Sequence, residues 1–341
     1  MRNDNDLGAI SVVMPAFNAE ATILRAIRSV QNQTFANWTL TIVDDGSTDA
    51  TSETVRTYLS ANPDVRVRLD TLPANVGVAE ARNIGIASSS GEWLVFCDAD
   101  DEMYESHLAN LMSALSDDVD MVVCGRTVVL PDGSEQDKHS LAVGNFSGAE
   151  ATRLSMSDRL SPFPWDRLVR RSLFSNLGYP KGAIRFEDMM TNIVLCSKSR
   201  RVVSIAERGI RYFVTGGSIT WGNVYSLADT QVAWDYMMSH LPESLTTGRY
   251  RASLGCARTI VALLIGQTAL VRDAPSAPEE RRLLVKQTVA ECRAHIRAVD
   301  IFHSFGANPT IASAALLFKT VPCLYARLYR RYVASSYAVE G

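Results

Sequence analysis

Residues 10–47 read ISVVMPAFNAEATILRAIRSVQNQTFANWTLTIVDDGS. Ile10 to Met14 is a β-branched run that stops at Pro15. Ile23, Ala26, Ile27 and Val30 then recur at helical spacing within Ala19–Gln33, with Asn18 as the N-cap. Thr39 to Val43 is a second strand, and it enters the polar turn Asp44-Asp45-Gly46-Ser47. The order strand, helix, strand predicts a βαβ unit.

The unit repeats downstream. Asp49 or Thr51 caps a helix through Leu59, Val65–Leu69 is a third strand, Val78–Ala87 a third helix, and Trp93–Cys97 a fourth strand ending at Asp98-Ala99-Asp100-Asp101. Alternation of this kind implies a parallel sheet with helices on both faces. Ligands of such sheets bind beyond the carboxyl ends of the strands. Pro15-Ala16-Phe17-Asn18, Asp44-Asp45 and Asp98–Asp101 are therefore expected to line one cleft.

Asp120–Gly125 reads as another strand, Pro131-Asp132-Gly133 as a hairpin turn, and the stretch to Gly148 as loop and edge strand. A helix is expected from Phe186 to Ser199, with strands near Val202–Ile205 and Arg211–Val214. Beyond Tyr225 the pattern is helical over Leu227–Leu241, Tyr250–Val271, Pro278–Val299 and Thr310–Val333, the last broken near Pro322.

Composition narrows the classes. The 341 residues are 47% apolar and 21% charged, as in an ordinary globular protein, with a length prior of roughly two domains. A net charge of -3 argues against nucleic acid as the main partner. Arg outnumbers Lys 29 to 5, a mark of genomic base composition. The six cysteines lack CxxC or His spacing and read as buried apolar residues of a reducing compartment. Met1–Gly8 has no signal-peptide pattern, and Ala252–Val271, the nearest approach to a membrane span, is interrupted by Arg258 and Gln267 and reads as a buried helix. A cytoplasmic protein, at the inner face of the cell membrane if its C-terminal segment reaches lipid, is the expectation.

Asp98-Ala99-Asp100 carries the sharpest chemistry: two carboxylates one residue apart at a strand end suit Mg²⁺ or Mn²⁺ held together with substrate phosphates. Asp44-Asp45-Gly46-Ser47 reads equally as an Asx-turn with Gly46 at positive φ or as a carboxylate for a base imide or a ribose hydroxyl. Arg82, in Ala81-Arg82-Asn83-Ile84-Gly85 after Asn75-Val76-Gly77, forks onto a phosphate or onto one of the acidic turns. Neither GxGxxG nor GxxxxGK[ST] occurs, which disfavours Rossmann dehydrogenases and P-loop NTPases.

Taken in order, Pro15-Ala16-Phe17-Asn18, Asp44-Asp45-Gly46-Ser47, Asn75-x-Gly77-x-x-x-Ala81-Arg82-Asn83-x-Gly85 and Asp98-x-Asp100-Asp101 resemble the family 2 glycosyltransferases of the GT-A fold. More loosely, Trp165-Asp166-Arg167-Leu168 is similar to a Trp-Asn/Asp-Lys-Leu segment of that family. Glu187-Asp188 is similar to its catalytic Glu-Asp pair, and Tyr212–Thr220 to its Tyr…Ser-Ile-Thr ending. Basic residues are frequent in the family between that Tyr and Ser; here Phe213 and Thr215 stand there, with Arg208 and Arg211 as candidate substitutes for diphosphate contact.

The resemblance implies an α/β, GT-A-type Rossmann-like, mostly parallel sheet with flanking helices. A catalytic domain would span residues 1–222, with its nucleotide-sugar half at 1–125 and its acceptor half at 126–222, followed by a helical region at 223–341. It implies sugar transfer from a nucleotide-diphosphate donor, UDP-sugar favoured, to a hydroxyl of a saccharide or lipid-linked saccharide, usually with inversion. Asp100 would ligate the metal and Asp98 would share it or hold ribose. Pro15, Ala16, Phe17, Asn18, Asp44, Asp45 and Arg82 would line the nucleotide-sugar site, and Trp165 would stack on sugar. Asp188 would be the general base and Glu187 would orient the acceptor. Their place at a helix start favours ionised carboxylate, so the base is expected to have no high pKa. The alternatives are an inactive carbohydrate- or nucleotide-binding protein on the same fold and a sugar nucleotidyltransferase.

The tail from Ile301 to Val339 holds no acidic residue. On one helix, Leu317, Val321, Leu324, Leu328 and Tyr332 share a face with Lys319 and Arg330 nearly opposite. Such a face fits peripheral contact with an anionic membrane or packing on its own domain or a second subunit.

Overall fold

The computed structural model describes residues 8–214, 224–271 and 278–337. Its strands are β1 (Ile10–Ala16), β2 (Trp38–Asp44), β3 (Val67–Thr71), β4 (Trp93–Phe96), β5 (Glu102–Met103), β6 (Val119–Val129), β7 (Glu135–Lys138), β8 (Gly144–Ser147), β9 (Arg167–Arg170) and β10 (Arg201–Phe213). The α-helices through the sheet region are α1 (Ile23–Gln31), α2 (Thr51–Ala61), α3 (Val78–Ala87), α4 (His107–Ser113), α5 (Gly148–Met156) and α6 (Glu187–Lys198). They are followed by α7 (Gln231–His240), α8 (Arg251–Val271), α9 (Glu279–His295), α10 (Ala298–Ala307), α11 (Pro309–Thr320) and α12 (Pro322–Tyr337).

One sheet runs in the order β3-β2-β1-β4-β9-β6-β10-β5, with β7 on β6 and β8 on β10. β3, β2, β1 and β4 are parallel, as the alternation of strand and helix requires. β9 enters between β4 and β6 antiparallel to both, so the sheet as a whole is mixed. β1 is buried along its whole length because helices cover both faces, which is why it reads as continuously apolar rather than alternating. Each fully buried Val, Ile or Leu there contributes roughly 1.5–3 kcal/mol. Gly85 on α3 lies so close to β1 that a Cβ would stand 2.3 Å from Val13 Cγ1, so only glycine permits this helix-to-strand approach.

Two large apolar clusters fill the described residues, beside a small third one of Val128, Leu130 and Val214. The first joins the sheet to its flanking helices. The second is built from Met189, Met190, Ile193 and Val194 of α6 together with α7, α8 and the helices after them. α8 is long and apolar enough to cross a membrane by length and composition alone, and 89% of its apolar window is buried inside the protein.

Several local expectations change. α1 starts at Ile23, with Thr22 at the N-cap position, so Asn18 caps no helix. Asn18 has φ 51°, and its side-chain oxygen accepts from Thr48 N–H at 2.8 Å. The segment Val202–Val214 is a single strand with register shifts rather than two. Residues 278–299 divide at Ile296, which leaves the helical region of φ and ψ, whereas the break expected near Pro322 is found, at Val321. Five cysteines are buried, and Cys323 is exposed. The Ser-Ile-Thr ending lies outside the described residues.

Candidate active site

The carboxyl ends of β1, β2 and β4 open on one edge of the sheet, and the loops leaving them hold one another. Asn18 N–H donates to Ser47 Oγ at 2.9 Å, and Asp45 N–H to the Ala16 carbonyl at 2.8 Å. Phe17 stands 47% exposed at this edge, while Pro15 and Ala16 are buried beneath it.

Asp44 and Asp45 are both buried, and both carboxylates are engaged by the protein. Asp44 accepts from Ser47 N–H at 3.0 Å, the Asx-turn, and from the Ser52 hydroxyl. Asp45 accepts from Val76 N–H at 2.7 Å and Gly77 N–H at 2.9 Å, which fixes the loop that starts α3. Gly46 (φ 67°) allows that loop to approach: a Cβ there would lie 2.5 Å from the Ala74 backbone.

α3 thereby presents Arg82, which is buried and bridges two acidic elements. It donates to Asp98 Oδ1 at 3.4 Å and to Glu187 Oε1 at 3.0 Å. Burial opposes its charge, yet Asp98, the Tyr179 phenol, Glu187 and Asp188 together hold the guanidinium above its ordinary value. Of the two roles open in the sequence, contact with an acidic turn is the one present, and contact with Glu187 is added to it. Asn83 braces the same helix by taking Tyr179 N–H at 2.7 Å and donating to the Tyr179 carbonyl at 3.0 Å.

The turn after β4 is closed by Asp101 N–H to the Asp98 carbonyl at 3.1 Å. Burial first and then the Asp98 charge push the Asp100 carboxyl up to about 6, with Arg25 opposing. Asp101 is buried and held well above the usual range by burial and by Asp100 and Asp98. Its Oδ1 accepts from Phe213 N–H at 3.1 Å, while its Oδ2 is buried without a hydrogen-bond partner. Carboxylates crowded at one turn, beside an orphaned acceptor oxygen, are the donor set a hard divalent cation relieves, so Asp98 and Asp100 fit Mg²⁺ or Mn²⁺. Among the described residues no three His, Cys, Asp or Glu side chains gather as a closed metal cage. A pair of carboxylates completed by substrate phosphate needs none.

Glu187 and Asp188 open α6 behind Phe186, whose φ of 63° puts a bulky side chain in the left-handed region. Strain of this kind persists where the surroundings enforce it: Phe186 is buried in the second core beneath the Arg185 guanidinium. The expectation of a low carboxylate pKa at this helix start is overturned. Burial first and then the Glu187 charge push Asp188 up to about 7, against the opposing effects of Arg82, the Met189 N–H and Arg185. Enclosure and a like charge outweigh the helix terminus.

Trp165 must be corrected. It is 1% exposed, with Phe163 stacked at 4.8 Å and Tyr212 at 5.6 Å, so no ring face is left for a sugar. It anchors the core beside the buried Asp166–Arg167 pair. Trp165→Ala is expected to lower stability by about 3–5 kcal/mol in a denaturant titration, with nucleotide affinity of the folded fraction unchanged in calorimetry. Arg208 and Arg211 are also excluded as free diphosphate contacts: Arg208 pairs with Asp137 at 3.0 Å, and Arg211 pairs with Glu102 and Glu135.

Arg25, unremarked in the sequence, lies nearer the acidic turn. It donates to the Asp100 carbonyl at 2.5 Å, and its guanidinium covers the Phe213 ring at 3.7 Å. A cation in the first turn of a helix opposes the helix dipole. That mismatch was the available signal, and the Asp98–Asp101 carboxylates answer it.

Residues 11–178 match the sequence profile described as Glycosyl transferase family 2. This chain carries a family 2 glycosyltransferase domain. The uncharacterized glycosyltransferase YibD of Escherichia coli K12 is 29% identical over 188 residues, 53% of this chain and 53% of YibD. The chain thus spans about half the length of that relative. WfgD of Escherichia coli, named UDP-Glc:alpha-D-GlcNAc-diphosphoundecaprenol beta-1,3-glucosyltransferase, is 41% identical over 92 residues, 27% of this chain and 35% of WfgD. S. aureus TarS shares the fold with a TM-score of 0.63 at 14% identity, over 96% of this chain and 91% of the TarS chain. A complex of TarS with UDP-GlcNAc superposes with a TM-score of 0.55 at 16% identity, over 87% and 92%. The GT-A-type architecture expected of the family 2 glycosyltransferase domain is the architecture found.

Proposed function

We propose that this chain is an inverting glycosyltransferase of polysaccharide or glycolipid synthesis. It moves a sugar from a nucleoside-diphosphate donor, a UDP-sugar by preference, to a hydroxyl of a saccharide or lipid-linked saccharide. The observation that carries this reading is the Arg82 bridge. One buried guanidinium joins Asp98 of the acidic turn to Glu187 of the later Glu-Asp pair, so groups 89 positions apart face one cleft. The UDP-GlcNAc complex of TarS and the donor and lipid diphosphate acceptor in the name of WfgD support the choice of substrate class. In this reading the reaction runs in the cytoplasm, at the inner face of the cell membrane.

Mg²⁺ or Mn²⁺ at Asp98 and Asp100 would neutralise charge developing on the departing diphosphate. Phe17 offers an open aromatic face to the nucleobase, and Asp44 and Asp45 keep the pocket walls in place. Arg82 holds Glu187 where it orients the acceptor. Asp188 takes the acceptor proton, and a carboxyl near neutrality suits a base that works at neutral pH. Attack from the Asp188 side with departure on the Asp98–Asp100 side inverts the anomeric carbon.

Asn18, bound to Thr48, follows β1 without the Gly-rich basic loop of a nucleotidyltransferase. A thermal-shift series with UDP-sugars and Mn²⁺ tests the reading. A ligand at about 100 times its Kd adds roughly 2.7 kcal/mol of stability, a melting shift of several degrees. Asp100→Ala should remove the Mn²⁺-dependent part of that shift. A shift identical in Asp100→Ala, or none with any nucleotide sugar, contradicts the proposal, and binding without turnover in a donor-hydrolysis assay assigns an inactive binding protein.

A further inference from the structure

Two cations of the tail are tied to the ends of earlier helices. Lys319 Nζ donates to the carbonyls of Arg293 and Ile296, at 2.8 and 2.7 Å, and closes the end of α9. Arg330 Nε donates to the Leu270 carbonyl at 3.1 Å near the end of α8. Lys319 is half-buried there, and Arg330, though exposed, is tied to the body of the protein by this bond. Tyr325 and Val333 are buried beneath α12. The apolar residues of the remaining stripe point out instead: Val321 is 46% exposed, Leu324 44%, Leu328 47% and Tyr332 49%. Steps of four residues align Leu324, Leu328 and Tyr332 along one face of α12, with Val321 just before its start.

We propose that this stripe docks the protein on an anionic lipid bilayer, with Arg327 and Arg331 contacting headgroup phosphates. Each of these arginines lies three residues beyond a stripe leucine, on one flank of it. Both are exposed, and neither forms an ion pair with a described residue. An apolar strip flanked by cations matches the boundary between acyl chains and anionic headgroups. A second copy is the poorer occupant. Residues 301–339 contain no acid, so pairing α12 across a two-fold axis would set arginines against arginines with no carboxylate between them. Docking would serve a lipid-linked acceptor, yet it stands on α12 alone and does not require the sugar-transfer reading.

Co-sedimentation of the full chain with vesicles tests it. The protein should bind phosphatidylcholine vesicles containing about one-third phosphatidylglycerol and should leave pure phosphatidylcholine vesicles in the supernatant. Arg327→Gln with Arg331→Gln should weaken binding about thirtyfold at low salt and flatten its salt dependence. Leu324→Glu with Leu328→Glu should abolish it. Because these side chains already face outward, the nucleotide-induced thermal shift should be unchanged in both variants. A failed transferase reading therefore shows in that shift and a failed docking proposal in the vesicles. Equal pelleting of the double-Glu variant and the parent overturns the proposal. A concentration-dependent dimer that this variant dissolves, with no vesicle binding by the parent, assigns the face to a second copy.

Discussion

Asp188→Asn should reduce sugar transfer by roughly 10²–10⁴-fold, the usual contribution of a positioned general base, while nucleotide binding measured by calorimetry stays within about twofold of the parent, since the amide keeps the carboxyl's shape. Parental transfer by this variant would remove Asp188 from the mechanism. The pH profile adds a second reading. Asp188 ionises near 7 in the folded protein and at 3.8 as a free side chain. Its basic form is therefore lost as pH falls through about 7, and the rate should fall with it. The stability linkage has the opposite sense. A carboxyl raised by folding destabilises the fold when ionised, and that penalty grows as pH climbs from 3.8 to about 7. Asp188→Asn should therefore melt higher than the parent at pH above 7 and equal to it at acid pH, a pattern a merely damaged variant would not show.

Arg82→Met should be the most destabilising single change in the cleft. Removing one partner of a buried ionic bridge costs about 3–5 kcal/mol; the lower end applies, because the Asp98 and Glu187 side chains keep 28% and 14% of their exposure. Chemical denaturation measures it. Arg82→Lys keeps the charge, but a single ammonium lacks the fork that spans both carboxylates, so its stability should fall between the two. In Arg82→Met Asp188 loses the positive charge that restrains its pKa, and the acidic limb of the rate profile should move to higher pH; Arg82→Lys, which keeps the charge, should move it less. An unchanged limb in a folded Arg82→Met protein would show that the guanidinium does not act on the base.

The first half of the chain was legible because each strand end is marked twice, by loss of periodicity and by a polar turn. Val78–Ala87 matches α3 to the residue. Other features were hidden for physical reasons. β9 is four residues long with arginine at both ends, and its pairing comes from β4 and β6, far away in sequence. Trp165 looked available because a motif shows residue type, whereas Phe163 and Tyr212 cover it only after folding. The pKa of Asp188 depends on enclosure by residues remote in the chain, which the local helix start could not reveal. Lys319 and Arg330 were read by periodicity alone; the hydrogen bonds they make depend on two helix ends elsewhere that offer bare carbonyls.

The antiparallel β9 has a wider consequence. It arrives after residue 125 but lies between β4 and β6, hydrogen-bonded to both. A fragment stopping before it would leave two interior strands with raw edges, open to association with other chains. The stretches expected to bind donor (1–125) and acceptor (126–222) would therefore not be interchangeable modules. Specificity would have to be redesigned side chain by side chain within a single cooperative unit, because exchanging one half for a relative's would divide the sheet through its middle.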